Sequence, residues 1–284
     1  MTSAPRVSVV IPTYNRAALL IEAVESVLRQ SYDDLEVVVC DDGSTDDTAE
    51  RVRAFGPRVH YIGLAHTGRP GSPRNRGIEA ARGELIAFLD DDDLWEPDKL
   101  ARQIELMDRD GLSLVYTDRR LMFSDGSRSD PVATPAPASP DRLLEMVLQG
   151  QFPFLCTALV RRSLLRQVNG FDETLETGED LDLWLRLGRV VRAGRVPEPL
   201  VIVRRRPGTL SDRSGPLAFR NAIRVLQRGL VAQDLQPSER RLCHATLTRL
   251  YARLAAKRAR QLDVVGSLRA AFGAIGHAVA RSMG

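Results

Sequence analysis

The chain has few cysteines and no long apolar segment. Its 284 residues include three cysteines, and Cys40, Cys156 and Cys243 lie too far apart to form a CxxC motif or another metal-binding spacing. We expect them to be buried, free thiols in a reducing cytoplasm. No apolar run approaches the ~20 residues that a helix needs to cross a bilayer, and the N-terminus leads directly into a strand-like segment. The sequence therefore predicts a cytoplasmic protein with neither a signal peptide nor a membrane helix.

Two common phosphate-binding motifs are also missing. No GxGxxG follows the first apolar run, and GxxxxGK[ST] occurs nowhere in the chain. Aromatic residues make up only 5%, and no nucleic-acid-binding motif accompanies the basic residues, so we expect no nucleic-acid partner. Hydrophobic residues at 43% and charged residues at 27% are typical of a soluble globular protein and exclude a wholly disordered chain.

Charge is distributed unevenly along the chain. Lysine is nearly absent, with 2 residues against 38 arginines, which weakens any inference from a single arginine. Residues 204–284 carry 16 Lys and Arg against 4 Asp and Glu, whereas residues 1–203 carry 24 against 33. An acidic body with a basic tail predicts two functional regions.

The first third of the chain alternates strand and helix patterns. Continuous apolar runs predict strands that are buried on both faces, and helical periodicity predicts the segments between them. The predicted strands are residues 7–11, 35–40, 58–62 and 84–89, and the predicted helices are residues 16–30, a second from Thr45, and 74–81. This order, with right-handed crossovers, predicts an open, largely parallel sheet with helices on both faces.

The pattern is less regular after Pro97. The predicted elements are a helix at 98–108, a strand at 113–116, a strand and a helix at 157–160 and 163–168, and a helix at 180–188. Residues 190–203 are expected to supply edge strands, and four prolines exclude regular structure from residues 130–140. The tail is helical in pattern, with two antiparallel helices at 247–261 and 264–280 joined at Asp263.

Polar clusters follow the first, second and fourth predicted strands, at residues 13–15, 41–44 and 90–93. Ligands of open parallel sheets bind at the carboxyl ends of the strands, so these clusters predict a binding site. Asp42 is a candidate hydrogen-bond acceptor for a base or a ribose, although a simple turn explains Asp41 and Asp42 equally well. Arg74 either reaches a diphosphate or base or lies on a solvated helix face, and both interpretations stay open.

Four consecutive aspartates at residues 90–93 end the fourth strand. They repel one another unless a cation lies among them, and carboxylates alone do not hold a diphosphate. Because alternate residues of an extended chain point the same way, we expect Asp90 and Asp92 to face one site and Asp91 and Asp93 to turn elsewhere. One or two of these carboxylates would bind a divalent cation; the alternative is an acidic helix cap or a solvated loop.

Several motifs in the same order resemble the family 2 glycosyltransferases of the GT-A fold. They are VSVVIPTYNR at 7–16, CDDGSTDDT at 40–48, RNRG at 74–77, GELIAFLDDDDLWEPDKL at 83–100, GFD at 170–172 and TGEDLDLWLR at 177–186. The resemblance covers about residues 5 to 211, and the motifs together are specific although no single one is. It implies an inverting transferase that uses a nucleotide-diphosphate sugar together with Mn²⁺ or Mg²⁺.

The resemblance also implies roles for individual residues. Asp90 and Asp92 would be the metal-binding DxD pair, with Asp92 the nearer ligand. The general base that deprotonates the acceptor hydroxyl falls at Glu179 or Asp180, and Asp180 is preferred; an ordinary acidic helix start is the alternative. The candidate nucleotide-sugar-binding residues are Pro12, Tyr14, Asn15, Asp41, Asp42, Arg74, Asp91 and Arg206.

The sequence departs from the family pattern at two points. Arg206 stands where many relatives carry a histidine, so direct metal ligation is not expected there, although a guanidinium suits a diphosphate. The QxxRW motif and the membrane helices of processive synthases are absent, which favours transfer of a single sugar over polymerisation.

We therefore expect an α/β GT-A domain followed by a C-terminal α-helical appendage. Residues 1–93 form the nucleotide-sugar half, 94–211 the acceptor half and 212–284 the basic helical region. The expected activity is hexosyl transfer from a UDP-sugar to a hydroxyl acceptor in the synthesis of cell-surface polysaccharide or glycoconjugate. The alternatives are a catalytically silent sugar-nucleotide-binding scaffold and another sugar-nucleotide enzyme, such as a nucleotidyltransferase.

The basic tail leaves two interpretations open. Its arginines form the solvated face of a helical hairpin whose apolar side packs on the core or on a second subunit. Alternatively, the tail attaches to an anionic membrane surface, where a lipid-linked acceptor would lie. The residues of the predicted apolar side are Leu250, Leu254, Leu262, Leu268 and Phe272.

Overall fold

A computed structural model describes residues 4–205, 215–232, 234–260 and 264–283. The N-terminal half of the domain contains β1 (Val7–Thr13), α1 (Ala17–Leu28), β2 (Leu35–Asp41), α2 (Thr48–Arg53), β3 (Val59–Gly63), α3 (Gly71–Ala80) and β4 (Leu85–Phe88). The second half contains β5 (Leu94–Trp95), α4 (Lys99–Asp110), β6 (Leu114–Met122), α5 (Leu143–Leu148), β7 (Ala158–Arg161), α6 (Arg162–Gln167), α7 (Glu179–Leu187) and β8 (Ala193–Arg204). Three helices follow: α8 (Gly215–Ala232), α9 (Pro237–Arg260) and α10 (Val264–Met283).

One eight-stranded sheet runs through both halves in the order β3-β2-β1-β4-β7-β6-β8-β5. The first four strands in this order are mutually parallel, which confirms the predicted βαβ pattern of the first third of the chain. Two antiparallel pairings, β4 with β7 and β7 with β6, then join the halves, so the sheet as a whole is mixed. The boundary at 93/94 remains a prediction.

Alternate residues of the central strands enter two separate cores. Val10 on β1 and Val38 on β2 pack with Ile78 of α3 on one face of the sheet. Val9, on the other face of β1, packs with Leu20 of α1. Side chains of successive strand residues point to opposite faces, so strands buried on both sides favour apolar residues at most positions. Two buried polar residues of β1 and β2, Ser8 and Glu36, are hydrogen-bonded to each other at 2.6 Å.

The expected edge strand lies inside the sheet. β8 pairs with β6 on one side, and the two-residue β5 covers its other side, so the prediction that residues 190–203 form an edge was wrong. Two prolines, Pro197 and Pro199, suggest an edge because proline cannot donate a ladder hydrogen bond. The sheet accommodates them by shifting the β6–β8 register around Asp118, which faces Pro199.

The C-terminal helices form an antiparallel hairpin against the domain. His244 contacts His277, and Arg258 near the end of α9 contacts Gly266 near the start of α10, so the two helices run in opposite directions. The two predicted helices are confirmed, but α9 begins ten residues earlier than expected, at Pro237. Proline is favoured in the first turn of a helix because its missing N–H would have no partner there.

The hairpin buries only part of its predicted apolar side. Leu254 is buried and Leu250 packs partly against the core, whereas Leu268 and Phe272 are 56% and 71% exposed. The prediction that Leu268 and Phe272 pack on the chain's own core is therefore wrong. Leu262 lies outside the described residues. Among the described helices, none is long and apolar enough to cross a membrane.

The three cysteines are buried and free, as expected. Burial raises the pKa of Cys40 and Cys243 to about 12, because desolvation disfavours a thiolate. These two thiols therefore behave as small apolar core residues.

Gly77 on α3 permits the close approach of this helix to β1. A Cβ at Gly77 would lie 2.3 Å from Val10 Cγ1. We expect Gly77→Ala to lower the free energy of unfolding by about 1–3 kcal/mol, because the packed core must shift to accept the methyl group. Urea unfolding followed by circular dichroism measures this change. Gly276→Ala, a helical glycine with nothing within 4 Å of the added Cβ, is the matched control and should cause no loss; equal losses in both variants would contradict the packing account.

Candidate active site

A cleft of about 680 Å³ opens at the carboxyl ends of β1, β2 and β4. Polar residues from both halves and apolar residues from β6 and β8 line this cleft. Of the residues singled out in the sequence, the cleft brings together Pro12, Tyr14, Asp42, Arg74, Asp90, Asp91, Asp92, Glu179 and Asp180. Arg206 lies outside the described residues.

An aromatic shelf forms one end of the cleft. The Tyr14 ring, 41% exposed at the end of β1, stacks on the His66 ring with centroids 4.1 Å apart. His66 Nδ1 lies 3.0 Å from an Asp42 carboxylate oxygen, which orients the imidazole. Asp42 also accepts hydrogen bonds from the backbone N–H groups of Thr67 and Gly68, each at 2.9 Å. The buried Asp42 carboxylate therefore fixes the loop that carries His66.

Two predicted binding residues serve the adjacent turn instead of lining the cleft. Asp41 is buried and accepts hydrogen bonds from the Ser44 hydroxyl at 2.6 Å and the Tyr61 hydroxyl at 2.7 Å. Asn15 adopts a positive φ of 52°, and its side-chain oxygen accepts a hydrogen bond from the Thr45 N–H at 2.7 Å. Asn15 thus connects the loops after β1 and β2, and the turn-forming alternative describes Asp41 better.

Arg74 joins the two halves of the cleft. Its guanidinium donates to Asp90 at 2.7 Å through one Nη and to Glu179 at 2.8 Å through the other. The side chain is only 8% exposed, and its charge compensates carboxylates at the end of β4 and the start of α7. The interpretation of Arg74 as a solvated helix face is thus wrong.

All four aspartates of residues 90–93 line the cleft, so the expectation that Asp91 and Asp93 turn elsewhere is wrong. Arg16 donates to both Asp91, at 3.0 Å, and its neighbour Asp92, at 3.3 Å. Asp91 accepts a further hydrogen bond from the Thr13 hydroxyl at 2.8 Å, and burial raises the pKa of Asp91 to about 6. The chain turns at residues 91–92 instead of continuing as a strand, so the two-residue period does not apply.

Asp90 and Asp93 are brought together by this turn. Ligand atoms of Asp90, Asp93 and Cys156 lie within 4.8 Å of one another. Asp93 is buried and accepts a hydrogen bond from the Arg204 N–H at 3.1 Å, while burial and the charge of Asp90 raise its pKa well above the usual range. Asp93 was not singled out in the sequence, although it belongs to the same aspartate run.

The donor set of this acidic cluster suits a hard divalent cation. Carboxylate oxygens are ligands that Mn²⁺ and Mg²⁺ prefer, and a cation would relieve the repulsion among Asp90, Asp92 and Asp93. The Cys156 thiol matches such an ion poorly, because burial raises its pKa and keeps it neutral. The carboxylates present therefore fit the ion that the sequence implies.

Asp180 lies at the start of α7 and lines the cleft. It follows Glu179, which Arg74 connects to Asp90. Burial, and then the neighbouring Glu179 carboxylate, raise the pKa of Asp180 to about 7. The two adjacent acids differ because Arg74 pairs directly with Glu179 and leaves Asp180 without an ion pair in the described part of the chain. A carboxyl group that titrates near neutrality is suited to accept a proton from a bound hydroxyl.

Arg119 is a cleft residue that sequence reasoning missed. Its guanidinium lies 5.0 Å from the centroid of the Phe154 ring, and burial lowers its pKa. Both residues come from residues 116–154, where no motif indicates individual functional positions. Arginine is also too abundant in this chain for its presence alone to indicate a functional position. Arg16 did carry a signal, since it ends the first conserved-looking motif run VSVVIPTYNR.

Comparison with protein families identifies one matching model, glycosyl transferase family 2, over residues 8–168. The succinoglycan biosynthesis protein ExoO of Rhizobium meliloti is 39% identical over 186 residues, which cover 62% of this chain and 53% of ExoO. Five uncharacterized glycosyltransferases of Rickettsia species are 31–33% identical, and the chain spans only 29–60% of their lengths.

Solved structures share the fold at lower identity. TarS of S. aureus, residues 1–349 in complex with UDP-GlcNAc, superposes with a TM-score of 0.73 at 19% identity and covers 94% of this chain and 90% of that one. The mannosyltransferase PcManGT of Pyrobaculum calidifontis, in complex with GDP-Man and Mn²⁺, gives a TM-score of 0.65 at 20% identity, with 99% and 84% coverage. These similarities confirm the expected GT-A fold.

The raised pKa of Asp180 predicts a pH-dependent cost to stability. The unfolded carboxyl group ionises near pH ~4, so the folded protein binds an extra proton between about pH 4 and 7 and loses stability as pH rises through that range. Asp180→Asn should therefore stabilise the protein more at pH 8 than at pH 5. The gain in unfolding free energy should differ between the two pH values by on the order of 1–3 kcal/mol, and the melting temperature should rise accordingly. Thermal melts at both pH values measure it.

The exposed Asp130 supplies the control for this measurement. Asp130→Asn should leave the difference between the two pH values unchanged, because this exposed side chain does not line the cleft. An Asp180→Asn protein that is less stable than the parent at pH 8 would contradict the assignment of a raised pKa.

Proposed function

The chain belongs to glycosyl transferase family 2, and we propose that it transfers a single sugar from a nucleotide-diphosphate sugar to an acceptor hydroxyl with inversion at the anomeric carbon. The observation that carries this proposal is the pairing of an acidic cluster with a separate carboxyl group, Asp180, whose pKa is about 7, across one cleft. The acidic cluster could hold a cation that neutralises the leaving diphosphate, and Asp180 could accept the proton of the attacking hydroxyl.

The nucleoside of the donor would occupy the end of the cleft with the aromatic shelf. A base stacks on the exposed Tyr14 ring, which His66 supports from behind, and Pro12 lies at the same end. Asp42 also lines this end. Its carboxylate oxygens already accept hydrogen bonds from the backbone N–H groups of residues 67 and 68, so an N–H or hydroxyl of the nucleoside would share these oxygens. TarS, a structural neighbour, binds UDP-GlcNAc, which supports UDP as the first donor to test, with GDP and dTDP as alternatives.

A divalent cation, Mn²⁺ or Mg²⁺, would be held by Asp90 and Asp92. When bound, such an ion neutralises the charge that develops on the leaving diphosphate. Asp91 positions this pair, since it anchors the turn through Thr13 and Arg16. PcManGT, also a structural neighbour, was crystallised with Mn²⁺, which supports manganese as the first ion to test.

Asp180 would act as the general base in a single displacement. The acceptor oxygen attacks the anomeric carbon on the face opposite the diphosphate, and the Asp180 carboxylate accepts the hydroxyl proton as the new glycosidic bond forms. Glu179 is the weaker candidate because its carboxylate is paired with Arg74 at 2.8 Å. Arg74 keeps its charge throughout and holds the start of α7 against the acidic cluster.

The acceptor would enter from the second half of the cleft. Arg119, Leu121 and Phe154 line this side, and all three come from residues 94–211, the predicted acceptor half. The similarity to ExoO, a succinoglycan biosynthesis protein, supports a growing polysaccharide or glycoconjugate as the acceptor.

The two alternative functions are less well supported. A catalytically silent scaffold has no use for a carboxyl group with a pKa near 7 beside the donor cleft. A nucleotidyltransferase would be favoured by a glycine-rich, lysine-bearing loop after β1, and residues 12–16 contain neither glycine nor lysine.

Substitution of the proposed base tests the function. We expect Asp180→Asn to reduce sugar transfer by roughly 10²–10⁴-fold while nucleotide binding is retained, because only proton removal is lost. Glu179→Gln should cost less, since a glutamine oxygen still accepts a hydrogen bond from Arg74. The assay measures release of nucleoside diphosphate from UDP-, GDP- and dTDP-sugars with Mn²⁺ and a panel of nitrophenyl glycosides as acceptors.

Either of two results would overturn part of the proposal. An Asp180→Asn enzyme that retains the parental rate would remove Asp180 as the base, and a greater loss in Glu179→Gln would transfer that role to Glu179. Nucleotide binding without diphosphate release from any donor would favour the silent scaffold.

A further inference from the structure

The outward face of α10 carries an apolar stripe. Four large apolar side chains on this helix are more than half exposed: Leu268 at 56%, Phe272 at 71%, Ile275 at 60% and Val279 at 51%. Their spacing of four, three and four residues places them within a sector of about 60° around the helix axis. Single exposed apolar side chains are common on protein surfaces, but a continuous line of four indicates a surface that binds a partner or a membrane.

The opposite face of α10 explains why the stripe has a fixed direction. Ala270 is buried, Gly273 lies against the Tyr251 ring of α9, and His277 Nδ1 lies 2.8 Å from His244 Nδ1. These contacts hold the inner face of α10 to α9. The stripe therefore points away from the body of the protein, and turning it inward would break the hairpin.

Charge around the stripe is almost entirely positive. Helices α9 and α10 carry nine Arg and Lys residues and a single acid, Glu239. That acid is already paired with Arg189 of the domain at 2.7 Å. On α10 itself Arg269 follows the first stripe residue and Arg281 follows the last, both of them exposed, and the helix has no acidic residue.

We propose that α10 is an interfacial anchor that lays its apolar stripe into the surface of an anionic lipid bilayer. The combination of an exposed apolar line with a basic helix that carries no acid of its own matches helices that lie in the headgroup region. Long arginine side chains beside such a line reach the lipid phosphates while their stems stay in apolar contact. No described helix can cross the membrane, so the attachment is peripheral.

A second copy of the chain is the less favourable occupant. An isologous dimer through the stripe would bring two hairpins together, each with nine basic residues against two acids, of which Glu239 is already paired. Like charges at an interface rim oppose association, whereas anionic headgroups compensate them. This inference concerns a surface outside the cleft and does not rest on the proposed function.

Vesicle sedimentation of the full chain tests the anchor, in the absence of any donor or acceptor. We expect binding to vesicles of phosphatidylglycerol mixed with phosphatidylcholine to exceed binding to phosphatidylcholine alone by roughly tenfold or more. The double variant Phe272→Ser with Ile275→Ser should weaken binding to the anionic vesicles by at least roughly tenfold, because both apolar side chains lose their burial. Raised salt should weaken binding by the parent chain.

Matched variants distinguish membrane binding through the stripe from nonspecific hydrophobic binding and from misfolding. Val231 on α8 is 89% exposed, so Val231→Ser makes the same kind of change outside the stripe and should leave vesicle binding unchanged. Arg269→Gln with Arg281→Gln should reduce the preference for phosphatidylglycerol without changing the helix content seen by circular dichroism.

Three outcomes would overturn the anchor. The parent chain would fail to bind anionic vesicles, or the Phe272 and Ile275 variant would bind them as well as the parent does. Light scattering would alternatively reveal a stable dimer that the same variant dissociates, which would assign the stripe to a second copy.

Discussion

The buried ion-pair bridge of Arg74 is the interaction on which the cleft depends. Its guanidinium contacts Asp90 at the end of β4 and Glu179 at the start of α7, residues that are 89 positions apart in the sequence. Burying charges costs several kcal/mol per ion unless partners compensate them, so removal of Arg74 would leave both carboxylates without this compensation. The bridge thereby ties the helix that carries Asp180 to the strand that carries the acidic cluster.

The same bridge creates the difference between two adjacent acids. Glu179 gains a direct cationic partner, whereas burial and the neighbouring Glu179 carboxylate outweigh the Leu181 N–H and the charge of Arg74 and raise the pKa of Asp180 to about 7. A carboxyl group with a perturbed pKa in a cleft is a candidate for proton transfer. At the other end of Arg74, repulsion among Asp90, Asp92 and Asp93 makes a divalent cation favourable.

Much of this arrangement was predictable from the sequence, and what was not has clear physical reasons. The parallel strands follow from unbroken apolar runs, and the motifs placed Asp90, Asp92 and Asp180 at one cleft. The contact of Asp90 with Asp93 was not predictable, because it depends on a turn that ends the strand period within the aspartate run. Arg119 could not be chosen among 38 arginines, since its role depends on the β6–β8 register. The exposed Phe272 was misassigned because periodicity identifies an apolar face without identifying what covers it.

The central claim is that a nucleoside diphosphate binds this cleft through a cation held by the aspartates. A thermal-shift titration of UDP in the presence of Mn²⁺ or EDTA, on the parent chain and on Asp92→Asn, tests it most directly. We predict stabilisation by UDP with Mn²⁺ that approaches about 2.7 kcal/mol at a hundredfold excess over Kd, and that EDTA or the substitution abolishes. A UDP shift that is equally large with EDTA and in Asp92→Asn, or no shift with any nucleoside diphosphate, would contradict the account.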